Sequence, residues 1–439
     1  MSTLKKIDDE SGPSWNSALN IFTVPPTNSN FNRAAIREIL PLNSIEENPF
    51  EFRIFSDNNW IDPSKIYLYL ELSIEKKDGN NWVPLEDTDT HVAPIQAIGQ
   101  SYVRQLKMAI NGTDVYDSTN LYPYISYIKR ELYYPKDCKE SFFGAEGYYM
   151  EKKLNDANDE GFKSRVKLMK NSTVCEFMSR LDFDLANQPL FLLNNLDILF
   201  TIYRSDDAFL IQTLRAEDNE EYRVRVHGAK LYIKTLELQP SLNLTIFKIL
   251  EQKSAKYTIK KNEIRSCYLS AQRSEVSYNA FTNILPRRLI VTFVKNDDYR
   301  GTFKTNPFNF RPYDLREISV NAGGLLFPAV PYNMKFDGVN KRFMRSFIDM
   351  HLATGNGESQ TNGLTLEKFI NGWSFFVFTL TSTLDDERGV EIVRQGTTTV
   401  RAQFNTPIPD GGATMIILGE FDQILAIDQN RIVISDTTV

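Results

Sequence analysis

The stretch IYLYLELSI, residues 66–74, decides the fold. Ile66, Leu68, Leu70, Leu72 and Ile74 fall on one side of it, and Tyr67, Tyr69, Glu71 and Ser73 on the other. Successive side chains of a strand point to opposite faces, so a period of two predicts a strand with one face in a core. Outward from it the same alternation returns. Leu106, Met108 and Ile110 run into Asn111-Gly112, and Val115 and Tyr116 follow. Asn-Gly accepts positive φ at both central positions, which predicts a tight hairpin. Leu196, Ile198, Phe200 and Ile202 alternate with polar or smaller neighbours, as do Val224 and Val226, then Leu231 and Ile233.

A second block begins after residue 255. Leu289, Val291 and Phe293 share a face, 315–327 reads as strand–turn–strand, and Phe376, Phe378 and Leu380 alternate. Val400, Ala402 and Phe404 do the same, then Met415 and Ile417. The two blocks echo each other: 181–188, 196–208 and 223–233 in the first match 376–383, 399–413 and 414–424 in the second. Two segments break the pattern. In 120–134, Tyr124, Tyr127, Ile128 and Leu132 recur at helical spacing between Pro123 and Pro135; in 364–373, Leu366, Phe369, Ile370 and Trp373 share a face behind a Thr365 N-cap. Many short strands in two successive sets predict an all-β protein of two tandem eight-stranded jelly-roll sandwiches with short helical insertions. The expected boundaries are an extended N-terminal arm over 1–48, a first sandwich over 49–239 with a helical insertion near 120–150, a linker over 240–254, and a second sandwich over 255–439. Val24-Pro25-Pro26 keeps the arm extended, with Ile21, Phe22 and Val24 as anchors for a partner surface.

Composition excludes several functions. The 50 Lys+Arg against 56 Asp+Glu give a net charge of −6, which argues against a protein that works by neutralising phosphates. Cys138, Cys175 and Cys267 lie far apart without a CxxC pair, so reduced thiols are expected rather than a disulfide framework or a zinc site. No apolar run reaches the roughly 20 residues of a membrane span, and no apolar stretch follows Lys5 and Lys6, so no secretory signal is expected. The sequons at Asn111, Asn171 and Asn243 are then unused matches. His91, His227 and His351 are isolated, and no HExxH, GxSxG or Walker motif occurs. Gly355-Asn356-Gly357 reads as a flexible loop. The acidic groups Asp206-Asp207, Asp297-Asp298 and Asp385-Asp386-Glu387 read as solvated turns, and the basic stretches 163–170, 253–265 and 341–345 as polar faces. The expectation is a non-enzyme with no catalytic, cofactor-binding or metal-binding residues and no cofactor.

The order of segments carries a resemblance. NIFTVPPT (20–27), PFEFRIFSDNNWIDPSKIYLYLEL (49–72), AINGTDVY (109–116) and LYPYISYIKRELYYPKDCKES (121–141) come first. FLLNNLDILFTIYRSDDAFLI (191–211), AKYTIKKNEIRS (255–266), ILPRRLIVTFVKNDDYRGTFKTNPFNF (284–310) and GEFDQILAIDQNR (419–431) follow. Together they resemble the major capsid protein of the Polinton/Maverick (adintovirus-like) group, of the double jelly-roll lineage, from about residue 20 to about 431. Residues 334–362 match least and read as a variable loop. The resemblance implies a virion protein that is not secreted through a signal peptide and that is assembled in the host nucleus or cytoplasm. It further implies homotrimeric, hexon-like capsomers, contacts with neighbouring capsomers and a penton or minor capsid protein, and an icosahedral shell enclosing double-stranded DNA without sequence-specific binding. Two other readings stay open from the residues: a carbohydrate-binding double β-sandwich protein, and a minor, penton-type capsid protein.

Overall fold

The computed structural model describes residues 7–12, 14–215, 220–357, 360–381 and 392–435. The first half holds eight main strands: β1 (Phe31–Ile39), β2 (Phe50–Phe55), β3 (Trp60–Asp78), β4 (Val103–Ile110), β5 (Thr113–Asp117), β6 (Cys175–Arg180), β7 (Asp197–Arg204) and β8 (Tyr222–Leu238). They form two antiparallel sheets, β1-β8-β3-β6 and β2-β7-β4-β5. The alternation at 66–74 places all five apolar residues in the core, each fully buried. Tyr69 on the other face meets Tyr232 of β8 edge-on at 6.0 Å. The Asn111-Gly112 turn has φ of 50° and 79°, the pair of left-handed residues a two-residue hairpin requires.

The second half repeats this plan with β9 (Ala255–Leu269), β10 (Glu275–Phe281), β11 (Arg288–Lys295), β12 (Leu315–Ala322), β13 (Leu325–Phe327), β14 (Phe376–Thr379), β15 (Thr398–Phe404) and β16 (Ala413–Ile427). Its sheets are β9-β16-β11-β14 and β10-β15-β12-β13. Adding eight to each label of the first sandwich gives the second. Both are jelly rolls, and the chain is a double jelly roll.

Among the helices of the described residues, those that bear on the argument are α1 (Tyr122–Tyr133), α2 (Glu160–Leu168), α3 (Pro240–Leu250), α4 (Met344–Ala353) and α5 (Leu366–Ile370). α1 and α2 lie between β5 and β6; α4 and α5 occupy the equivalent place between β13 and β14. Thr365 caps α5, its hydroxyl accepting from the Lys368 N–H at 3.3 Å.

Four readings of the sequence change. Residues 31–39, assigned to the arm, are the edge strand β1, paired with β8 from Ile39↔Leu231 to Phe31↔Leu238. Their polar, half-exposed pattern is that of an edge with one covered side. The counterpart of 376–379 is β6, not 181–188, which is a loop with one 3-10 turn at Asp184–Asn187. β6 (CEFMSR) hides only Phe177 and Ser179, so its polar composition concealed it. Residues 240–250, expected as linker, are a helix with Pro240 in its first turn. The stretch 334–362, expected as a loop, contains α4, which packs on β14. β11 is buried along nearly its whole length rather than on alternate residues, with Arg288 meeting Tyr133 of the first sandwich, Thr292 meeting Ser374, and Val294 bridging Phe310.

Candidate functional site

The chemistry-bearing residues singled out by sequence do not converge. His227 Nε2 lies 2.9 Å from Ser73 Oγ between neighbouring strands, and His351 stands edge-on to Phe347 on α4. The three cysteines are free thiols. Asp207 accepts the Val224 N–H at 2.9 Å and pairs with Arg204, fastening a turn to β8. Asp298 is fully buried rather than solvated; burial pushes its carboxyl up, opposed by the Thr305 hydroxyl and Arg311. Asp385, Asp386 and Glu387 lie outside the described residues. The basic stretches serve local pairing: Arg165 is buried against Glu151, Lys260 meets Asp422 at 2.5 Å, and Arg345 meets Asp349 at 3.7 Å. Among the described residues no three His, Cys, Asp or Glu side chains gather as a metal site, and no helix is long and apolar enough to cross a membrane.

What the sequence does concentrate is the seam between the two jelly rolls. At one end α1 lays its aromatic stripe on the second sandwich. Tyr127 stacks on Phe308 with ring centroids 4.1 Å apart and planes 4° apart, and its hydroxyl accepts from Trp373 Nε1 at 3.1 Å. Tyr124 stacks on Tyr299 at 5.6 Å, and Tyr299 donates to Ser266 of β9 at 3.1 Å. Gly301 (φ +87°) packs so closely that a Cβ there would stand 2.9 Å from the Phe209 backbone of the first sandwich. Midway along β9, Asp184 accepts from both the backbone N–H and the side-chain amide of Asn262, at 3.2 and 3.0 Å. Nearby, Arg288 donates to Tyr133 at 3.0 Å. At the start of β9, the Tyr257 hydroxyl donates to the Phe191 carbonyl at 3.2 Å and accepts the Leu193 N–H at the same distance. Arg431 donates to the Asn194 backbone and side-chain oxygens at 2.8 and 3.0 Å, and the Asn111 amide reaches the Arg431 carbonyl at 2.7 Å.

Buried charges brace the elements of the first sandwich that face the seam. Arg130 on α1 forms a bidentate pair with Glu146 at 2.6 and 2.9 Å, both buried. Lys139 donates to Glu131 at 3.0 Å and, across the seam, to the Asn362 carbonyl at 2.8 Å. Burial opposes ionisation of Glu131, but Lys139, Lys368 and the Tyr148 hydroxyl outweigh it and hold its carboxyl below the ordinary value. Asp184 goes the other way: burial pushes it up to about 7, more than its bonds to Asn262 and the charge of Lys129 recover. The loop read as flexible at 355–357 is anchored here. Asn356 and Asn362 donate to the Leu132 carbonyl at 2.9 and 3.3 Å, capping the free C-terminal end of α1. No sequence signal joins Asn356 to Leu132; only the fold brings them together.

No family model matches the chain. It is 28% identical over 402 residues to uncharacterized protein F54H12.2 of Caenorhabditis elegans, covering 90% of this chain and 94% of that one. Among solved structures it is similar to a chain of the Sputnik virophage (TM-score 0.67, 11% identity, 99% of this chain and 94% of that chain). It is similar to the mavirus major capsid protein (TM-score 0.56, 12% identity, 99% and 96%) and to a chain of the PBCV-1 virus capsid (TM-score 0.58, 9% identity, 95% and 100%). The shared feature is the fold, two jelly rolls in one chain, matched across nearly the whole length of each.

Proposed function

We propose that the chain is a major capsid protein whose copies associate as trimers into hexon-like capsomers that tile an icosahedral shell around double-stranded DNA. The observation that carries this reading is the exact repetition of strand order between the two sandwiches, joined by a built seam, in a chain matched end to end by virophage and virus capsid chains. Two similar units per chain make six units from three copies, so a threefold assembly acquires a pseudo-hexagonal outline. Heterologous contacts close into rings when the rotation between units allows it. The net charge of −6 fits a shell that encloses DNA without gripping it through a basic surface. A nematode relative of matching length favours an element carried in animal genomes, in keeping with a Polinton/Maverick-type virus or transposon. A penton or minor capsid protein would complete such a shell at its fivefold positions.

Native mass spectrometry of the purified chain should give three times the chain mass, and electron microscopy should show threefold tiles of pseudo-hexagonal outline. A monomer that persists at micromolar concentration, with no tiles, would overturn the reading. Strong binding to a glycan array would point instead to the carbohydrate-binding alternative.

A further inference from the structure

The described residues before β1, 7–12 and 14–30, form a polar chain studded with exposed apolar side chains. Trp15, Ile21, Phe22 and Val24 are 84%, 76%, 92% and 84% exposed. Beside the root of this arm lies an open groove of about 650 Å³ between the start of β1, the 190–193 loop, α3 and the start of β9. Phe31 and Phe191 meet edge-on at 5.9 Å in its wall, and Leu242, Ile246 and Ile249 of α3 face it. Ile249 is 55% exposed. An apolar segment and an apolar groove, both bare, are surfaces that call for partners.

The arm does not fill the groove beside its own root. Gln239 donates to the Asn30 carbonyl at 3.0 Å and pins the root at the entrance to α3. Pro25-Pro26 then holds the next residues extended, since proline fixes φ and biases the residue before it toward extended backbone. The charges match as well. Before residue 30 the arm carries Asp8, Asp9 and Glu10 against Lys5 and Lys6, a slight acidic excess, and Lys253 and Lys256 line the groove.

We infer that the arm of one copy docks in the α3 groove of a neighbouring copy, seating Ile21, Phe22 and Val24 against Ile246 and Ile249. The inference rests on the reading that the chain assembles with itself, and it names one surface that does so. It makes the arm a tether between copies and α3 the receptor for it.

Paired cysteines in the full chain test it. One preparation carries Phe22→Cys, and a second, with a different tag, carries Ile249→Cys; both positions are exposed, so both variants should fold. After mixing, assembly and mild oxidation, a disulfide joining the two tags is expected, absent from wild type and from either variant alone. Phe22→Asp should raise the concentration needed for assemblies larger than the capsomer about tenfold or more, as removal of an aromatic anchor does. A disulfide that forms only within single chains of the double variant would give the groove to the chain's own arm and overturn the inference. Absence of any cross-link in a chain that still gives oligomers by native mass spectrometry would overturn the arm contact and leave the capsid reading standing. A chain that neither cross-links nor leaves the monomer would overturn both.

Discussion

Asp184 is a carboxylic acid placed where its charge is unwelcome, between two sandwiches, with Asn262 donating twice to a single oxygen. Its folded value of about 7 lies above the ordinary 3.8, so the native state holds this proton more tightly than the unfolded chain does. The stabilisation from the neutral acid is therefore complete below about pH 4 and is lost as pH rises through about 7. Asp182, two residues earlier, behaves oppositely: burial disfavours its charge, but Lys129 and Arg130 more than compensate and hold its carboxyl far below the usual range. Asp184→Asn keeps the acceptor and removes the titration. Urea unfolding should show the variant gaining on wild type by on the order of 3 kcal/mol between pH 4 and pH 8; parallel pH curves would contradict the assignment. Lys139 offers a second test. Lys139→Met leaves the Glu131 carboxylate buried without its cation, which typically costs about 3–5 kcal/mol. Adding Glu131→Gln to that variant should recover a substantial part of the loss, measured by the same unfolding titration.

At the level of elements, α1 is the piece of the first sandwich that belongs energetically to the second. Phe308 is fully buried, stacked on Tyr127 and edge-on to Tyr124 at 5.7 Å. Phe308→Ala should cost about 3–5 kcal/mol, the usual range for truncating a buried aromatic ring, and should lower the melting temperature with the strand content by circular dichroism unchanged. The helix itself was legible in the sequence, because Tyr124, Tyr127, Ile128 and Leu132 keep helical spacing between two prolines. β3 was legible for the same reason, a strict period of two with one buried face. β6 was not, because an edge strand that buries only Phe177 and Ser179 carries almost no periodic signal. β1 was missed likewise, with Ile36 exposed on an edge whose other side pairs only with β8. α4 was hidden by its surroundings: Met350 and Ala353 face the core, but the polar loop that follows dominates the composition of that stretch. The seam contacts were out of reach altogether, since Asp184 and Asn262, or Leu132 and Asn356, are joined by topology and not by any pattern either residue carries.

For the whole molecule the question is whether two jelly rolls make two domains or one folding unit. Tyr124 and Tyr127 on one side and Tyr299, Phe308, Phe310 and Trp373 on the other form a single aromatic cluster across the seam. Each such ring buries roughly 150–250 Å², so the cluster alone approaches the roughly 1,000 Å² that separates a specific interface from an incidental contact. The hydrogen bonds of Tyr257, Asp184 and Arg431 continue that interface along β9. A sandwich deprived of its partner would expose the rings and strand β9's polar partners, an arrangement prone to aggregation. Cutting the chain after Leu250 and expressing the two pieces separately should therefore give insoluble or loosely packed halves. Co-expression should give a soluble complex that co-purifies through a tag on either half and recovers the near-ultraviolet circular dichroism of the intact chain. Two separately soluble halves, each melting cooperatively, would mean that the seam is an ordinary domain contact and that each jelly roll is a folding unit of its own.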